Sequence, residues 1–354
     1  MSDSTESRNW TYGEYLQLSK LLALQGEERG ISNDEMHFIV VHQTFELWFK
    51  QIIRELREVR DILNQENVPE NEIPKAVDHL TRITEIFRLM ANQWSVLETL
   101  TPQGFLSFRD GLGTASGFES YQMREFEILL GLKNEDRLGR MDPLKGFKKV
   151  AKDSSESAQI YQQLKMVMEQ KSLFESLMDW IGRTPIMGSK FGSKEDSDEV
   201  AKYVEAHLEA HRQHGESVYG NSISEQKVSE RLESANNNAR EFLIPEGKIN
   251  RPRVGLLFIE SYRELPLLTW PRKLIDGFVE LEEAIVKWRH SHARMVERIM
   301  GRRVGTGGTS GVDYLDATSR YRIFKDLWGV RTILIKPQNR PPLKGAEFYG
   351  FNSK

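Results

Sequence analysis

The stretch DEMHFIVVHQTFELWFKQIIREL, residues 34–56, decides the fold. Phe38, His42, Phe45, Phe49, Ile52 and Leu56 recur in it at steps of three and four. Those steps gather the set on one side of an α-helix. The apolar members require burial, and His42 is carried inward with them. A buried imidazole needs a partner for each ring nitrogen, because an unpaired polar group loses its hydration without compensation. The ordinary explanation of such a residue is a satisfied core histidine.

A second segment repeats the pattern. In LEEAIVKWRHSHARMVERIMG, residues 281–301, the stripe is Leu281, Ile285, Trp288, His292, Met295 and Ile299. Two helices, each with one inward histidine, open another reading. They face each other across a flat cofactor such as haem, one histidine ligating iron and the other lining the opposite pocket. His290 points about 200° around the helix from His292. Both cannot ligate one iron, and the apolar stripe selects His292.

Directly after this helix come Arg302, Arg303 and the run Gly305-Thr306-Gly307-Gly308-Thr309-Ser310-Gly311. Its backbone can approach a ligand closely. No Gly-Lys-Ser/Thr ends it, Ser310 breaks the Gly-x-Gly-x-x-Gly fingerprint, and no strand leads into it. It reads either as a flexible surface loop or as a hydroxyl- and amide-rich wall over a polar head group.

The chain has 354 residues, 39% of them hydrophobic, enough for one large domain or two modest ones. A net charge of −3 implies no bulk attraction to nucleic acid or to a membrane surface. The absence of cysteine excludes disulfides, thiolate catalysis, iron–sulfur clusters and cysteine-ligated zinc or haem. The polar N-terminus MSDSTESRNW shows no signal pattern. No run approaches the roughly 20 apolar residues of a membrane helix. A soluble cytoplasmic protein is the expectation.

Helical periods dominate, so the expected class is all-α. Residues 1–10 read as a disordered tail. Helices are predicted over Tyr12 to about Gln25, Asp34 to Asn64 with Ser32 or Asn33 as cap, 75–98, a short one from Thr101-Pro102, 118–131, 158–181 and 317–328. VRTILI, 330–335, has the propensity of a short strand. The main helical domain is expected to comprise 11–185 and 251–336. A polar helical insertion, 186–250, and an irregular tail, 337–354, complete the chain. In the insertion, His207, His211 and His214 fall at i, i+4 and i+7, a spacing that suits a metal. Their polar surroundings and the missing HExxH order favour a solvated helix face instead.

The chain resembles the tryptophan 2,3-dioxygenase family. The similarity is carried by TYGEYLQLSKLLALQ, DEMHFIVVHQTFELWFKQI, FLSFRDGLGTASGFES and KWRHSHARMVERIMGRRVGTGGTSG. It continues more weakly through SLFESLMDWIGRTP and YRIFKDLWGVRT, and covers most of 11–335. HQTFELWFKQ and RVGTGGTSG are its most specific runs.

The resemblance implies a haem b enzyme, one haem per subunit and ferrous when active. It would cleave the indole C2–C3 bond of L-tryptophan with O2 to give N-formylkynurenine, the first step of tryptophan catabolism by the kynurenine route. It implies that His292 is the proximal iron ligand and His42 the distal histidine that accepts the indole N–H. Phe38 would pack against the indole, Arg109 would pair with the substrate carboxylate, and Thr306 would bond the amino acid head group. Ser116 and Gly117 match a segment near the haem edge. Tyr12 and Tyr15 correspond to tyrosines that line a neighbouring subunit's pocket in a homotetramer, a dimer of dimers. Arg suits the carboxylate role because its planar fork makes two parallel hydrogen bonds.

Four positions depart from the family's usual residues: Asn33 for His, His37 for an apolar residue, Thr114 for Pro, and Glu119 for Gln. They leave room for an aromatic monooxygenase or hydroxylase on the same scaffold. A helical haem or tryptophan sensor without turnover is a further alternative. The joint presence of His42, Arg109 and Thr306 speaks against it, since a haem sensor needs no carboxylate clamp.

Overall fold

In the computed structural model the residues described are 9–113, 115–219, 225–303 and 311–350. The α-helices run α1 Tyr12–Leu16, α2 Leu18–Leu21, α3 Asn33–Leu63, α4 Glu72–Leu97, α5 Pro102–Arg109, α6 Tyr121–Leu130, α7 Lys145–Val150 and α8 Ser155–Glu169. They continue as α9 Leu173–Ile181, α10 Asp196–Tyr219, α11 Glu225–Leu243, α12 Arg251–Ser261, α13 Thr269–Met300, α14 Gly311–Thr318 and α15 Lys325–Thr332. No strand occurs among the described residues, so the all-α class holds.

Three long helices make the frame. α3 has 31 residues, α4 has 26 and α13 has 32. α4 packs on both others. The stripe of α3 is buried at Phe45, Phe49, Ile52 and Leu56, and that of α13 at Leu281, Ile285, Trp288, Met295 and Ile299. α4 meets them with Leu80, Ile83, Phe87, Met90 and Trp94. Truncating one such side chain to alanine costs about 2–5 kcal/mol, depending on how far its surroundings collapse.

Local chemistry sets the ends. The Ser32 hydroxyl accepts the Glu35 N–H at 3.1 Å and starts α3. Pro271 stands in the first turn of α13, where its missing N–H breaks no helix bond. Gly301, at φ 59°, stops α13 in a conformation that side chains resist. The sequence-predicted Tyr12–Gln25 helix is instead two short ones, because Gln17 takes a left-handed conformation between them. The predicted 158–181 helix is likewise broken into α8 and α9, with Ser172 capping the second.

The strand propensity of 330–335 is overridden. Val330 to Thr332 close α15, whose Leu327 and Val330 are buried. Three hydrogen bonds to the buried Glu282 carboxylate, from the Ile323 and Phe324 amides and the Trp328 indole, hold this segment on α13. α10 and α11 form a hairpin that packs on α12. Its outer side is polar, but Val200, Tyr203, Val204 and Leu208 are buried.

The expectation of a solvated face for the three insertion histidines is corrected here. His207 is fully buried, and its Nε2–H donates to the Ile333 carbonyl at 3.0 Å. His211 Nδ1 pairs with the Asn236 carbonyl oxygen and His214 Nδ1 with the Asn339 amide nitrogen, each at 3.0 Å. The three rings face three different partners. Among the described residues, no cluster of His, Asp or Glu is arranged to hold a metal ion.

Candidate active site

His42 lies on α3, partly buried. Its Nδ1 is 2.7 Å from the Phe38 carbonyl oxygen one turn back. A carbonyl only accepts, so Nδ1 carries the proton and Nε2 keeps its lone pair. Burial lowers the proton affinity of His42, and the Phe38 carbonyl and the Glu46 carboxylate partly offset it. The ring is therefore neutral near pH 7, with a free acceptor. It opens on a cleft of about 1650 Å³ that Phe38, Ile39, Gln43, Leu112 and Tyr121 also line.

An aromatic wall backs it. The Phe38 ring centroid is 4.0 Å from that of His42. Phe105 and Phe108 of α5 stand 5.9 and 5.6 Å from Phe38. Arg109 follows Phe108 at the C-terminal end of α5, partly buried, where a cation also complements the helix dipole. α5 thus packs Phe105 and Phe108 against Phe38, while Arg109 at its end is not among the residues that line the cleft.

His292 lies half-buried against α4. The Trp94 indole is stacked on it, with centroids 4.4 Å apart, and Trp288 is 5.9 Å away. Burial, then the positive charge that His42 and Arg289 would place nearby, push its pKa down to about 3. No hydrogen bond to His292 is found among the described residues, and the residue is half-buried. It is a neutral imidazole with a lone pair uncommitted. His290, by contrast, is exposed.

The remaining site expectations fall as follows. Ser116 is half-buried and Gly117 exposed in the α5–α6 connection, beside Leu112 and Ala115 of the cleft. Tyr12 and Tyr15 are 75% and 72% exposed and do not line this chain's own cleft, which the neighbouring Leu21, Leu22 and Leu24 do. Thr306, Thr114 and the glycine run up to Ser310 lie outside the described residues. His37 points away from the cleft, its Nε2 bonded to the Val96 carbonyl at 3.0 Å.

Sequence reading missed two features. Trp94 belongs to the buried stripe of α4 like any core aromatic, and nothing local marks it as the neighbour of His292. The buried carboxylate Glu127 sits among Arg124, Arg137 and Arg289 at 2.6–2.7 Å, and Arg289 comes from 162 residues away.

The family model described as tryptophan 2,3-dioxygenase matches residues 2–334. The chain belongs to the tryptophan 2,3-dioxygenase family. A tryptophan 2,3-dioxygenase of Sorangium cellulosum is 40% identical, over 98% of this chain and 88% of its own. Tryptophan 2,3-dioxygenase 2 of Ralstonia nicotianae is also 40% identical, over 96% and 97%. The tryptophan 2,3-dioxygenase of Anopheles gambiae is 33% identical, over 94% and 87%. The match to the tryptophan 2,3-dioxygenase family includes α3, α5 and α13, the helices that carry His42, Arg109 and His292. Among the described residues no helix is long and apolar enough to cross a membrane.

Proposed function

We propose that this protein is a haem-dependent dioxygenase that opens the indole ring of L-tryptophan at C2–C3 with O2 and forms N-formylkynurenine. The observation that carries this reading is His292: half-buried, neutral, stacked on Trp94, and near a second neutral imidazole that has a free acceptor. A neutral imidazole of this kind suits haem iron, and the flat aromatic surroundings of Trp94 and Trp288 suit a porphyrin. The residues present therefore fit haem b. When bound, the haem supplies the ferrous-iron chemistry that makes dioxygen reactive toward the indole.

The chain's own residues do the rest. His292 would hold the iron. His42 would accept the indole N–H at Nε2, the Phe38 carbonyl fixing the ring in the tautomer that can do so. The indole N–H is too weak an acid for easy removal by an imidazole, so His42 orients the substrate and is not required as a base. Phe38, backed by Phe105 and Phe108, would pack the indole and keep water from the reacting carbons. Arg109 would clamp the substrate carboxylate, and Thr306 would bond the head group. Ser116 and Gly117 would lie near the haem edge.

The exposed α1, with Tyr12 and Tyr15 outermost, supports a homotetramer in which this helix completes the pocket of a neighbour. Tryptophan catabolism by the kynurenine route, in the cytoplasm, is the setting this reaction implies. The deciding experiment incubates the purified ferrous haem protein with L-tryptophan and O2 and weighs the product. A gain of two oxygen atoms supports the dioxygenase. A gain of one makes the protein a monooxygenase on the same scaffold, and no turnover leaves a binding protein.

A further inference from the structure

The chemistry above makes no use of a buried charge cluster around Glu127. Glu127 of α6 is 1% exposed at its side chain, and Arg137 and Arg289 are 3% exposed each. Arg289 Nη2 donates to Glu127 Oε1 at 2.7 Å. Arg137 Nη1 and Arg124 Nη1 reach Oε2 at 2.6 and 2.7 Å. Three guanidiniums around one carboxylate leave two positive charges unbalanced within the cluster. Burial alone would raise the Glu127 pKa, but the three arginines outweigh it and hold the carboxyl at about 2. The carboxylate is thus already counted as ionised, and the surplus persists at any working pH. The partner on the open side of Arg289 is a neutral ring, Tyr321, at 5.2 Å. Nε and Nη1 of Arg289 have no acceptor.

Arg289 stands three residues before His292 on α13, about 4.5 Å along the helix axis. A charge that close, in an interior of low dielectric, is only weakly screened. Among the described residues, the charges that act on the His292 ring come from His42 and Arg289 and include no carboxylate, so no anion there offsets the cation. Oxidation of a metal held at His292 adds a positive charge beside an existing surplus. The cation also restrains electron donation by the imidazole.

We propose that the Arg289–Glu127 cluster tunes the metal held at His292: its surplus positive charge favours the ferrous over the ferric state of bound haem. Arg289 acts through His292 and is a positioning residue in this sense. The inference rests on the haem reading of the site.

The test is the reduction potential of the haem-loaded protein, measured by spectroelectrochemistry in the parent and in Arg289→Gln, Arg289→Lys and Glu127→Gln. Arg289→Gln removes a positive charge. At a fixed ambient potential its ferric-to-ferrous ratio should rise about tenfold, a drop of about 59 mV for one electron. Arg289→Lys keeps the charge and should restore most of the parent potential. Glu127→Gln removes the negative charge and should move the potential the other way. Loosened packing would not produce opposite shifts from the two changes. Arg124→Gln, at the most exposed arginine of the cluster, carries the same expectation as Arg289→Gln with a smaller shift, should the latter not fold. Equal potentials throughout, or shifts of one sign in Arg289→Gln and Glu127→Gln, would overturn the charge inference alone. A folded parent that takes up no haem would overturn the haem reading first.

Discussion

The indole of Trp94 lies flat on the imidazole of His292, with planes 5° from parallel. Phe45 backs the same indole at 4.2 Å, so α3, α4 and α13 meet in one stack. Aromatic pairs of this kind contribute about 0.5–1.5 kcal/mol each beyond the area they bury. The stack fixes the orientation of a ring that no hydrogen bond holds.

The two nearby histidines of α13 should separate cleanly. His292→Ala is expected to lose most haem on purification and nearly all activity. His290→Ala, at an exposed position, should keep both. Haem absorbance per subunit is the readout, and the reverse outcome would refute the assignment of His292.

Arg109→Ala and Arg109→Lys should raise KM for tryptophan strongly. The loss of one charge-assisted pair is worth roughly 1.5–3 kcal/mol, about ten- to a hundredfold in binding. Tryptamine, which lacks the carboxylate, should be a poor substrate of the parent. Equal turnover of tryptamine and tryptophan would rule out the clamp.

His42→Ala should reduce activity without abolishing it, because the imidazole orients the indole through an accepted hydrogen bond. 1-Methyltryptophan should bind poorly to the parent, its methyl group meeting Nε2. A variant that still binds haem and tryptophan but is fully inactive would instead make His42 a true base.

Removal of residues 1–20 should impair both assembly and tryptophan binding while leaving haem partly in place. Removal of 1–9 should change little, since that stretch has no apolar pattern. Size-exclusion chromatography and substrate titration check both, and a fully active monomer lacking 1–20 would exclude a shared site.

His207 gives the stability a pH dependence. Burial lowers its pKa to about 4 against 6.5 in the unfolded chain. Between those values the unfolded state binds the proton and the folded state does not. Stability is therefore full above about pH 6.5 and falls as the pH drops toward 4, by on the order of 3 kcal/mol. His207→Gln keeps a donor for the Ile333 carbonyl and cannot titrate. Its melting temperature should fall less steeply across that range, and an unchanged slope would acquit His207.

The long helices were legible because their evidence is local. Phe45, Phe49, Ile52 and Leu56 announce a buried face at helical spacing, and the same argument separates His292 from His290. Arg109 was legible only through its resemblance to a family motif, since an arginine at a helix end has many ordinary uses. The burial of His207 was hidden by polar neighbours: only the inner residues of α10, Tyr203 and Val204 among them, meet the core. The strand propensity of 330–335 lost to the packing of α15, whose Leu327 and Val330 are buried and whose start is bonded to Glu282, far away in sequence.

The amino-acid order by itself thus determined the long helices α3, α4 and α13, their buried faces and the two histidines that the faces of α3 and α13 carry. Periodicity and capping depend on residues within a turn or two of each other. The tertiary structure decided which rings and charges meet: Trp94 on His292, and Arg289 on Glu127 across 162 residues. Such pairs depend on how distant helices pack, and no local pattern encodes the angle at which α13 crosses α4 or the depth at which α6 lies beside them.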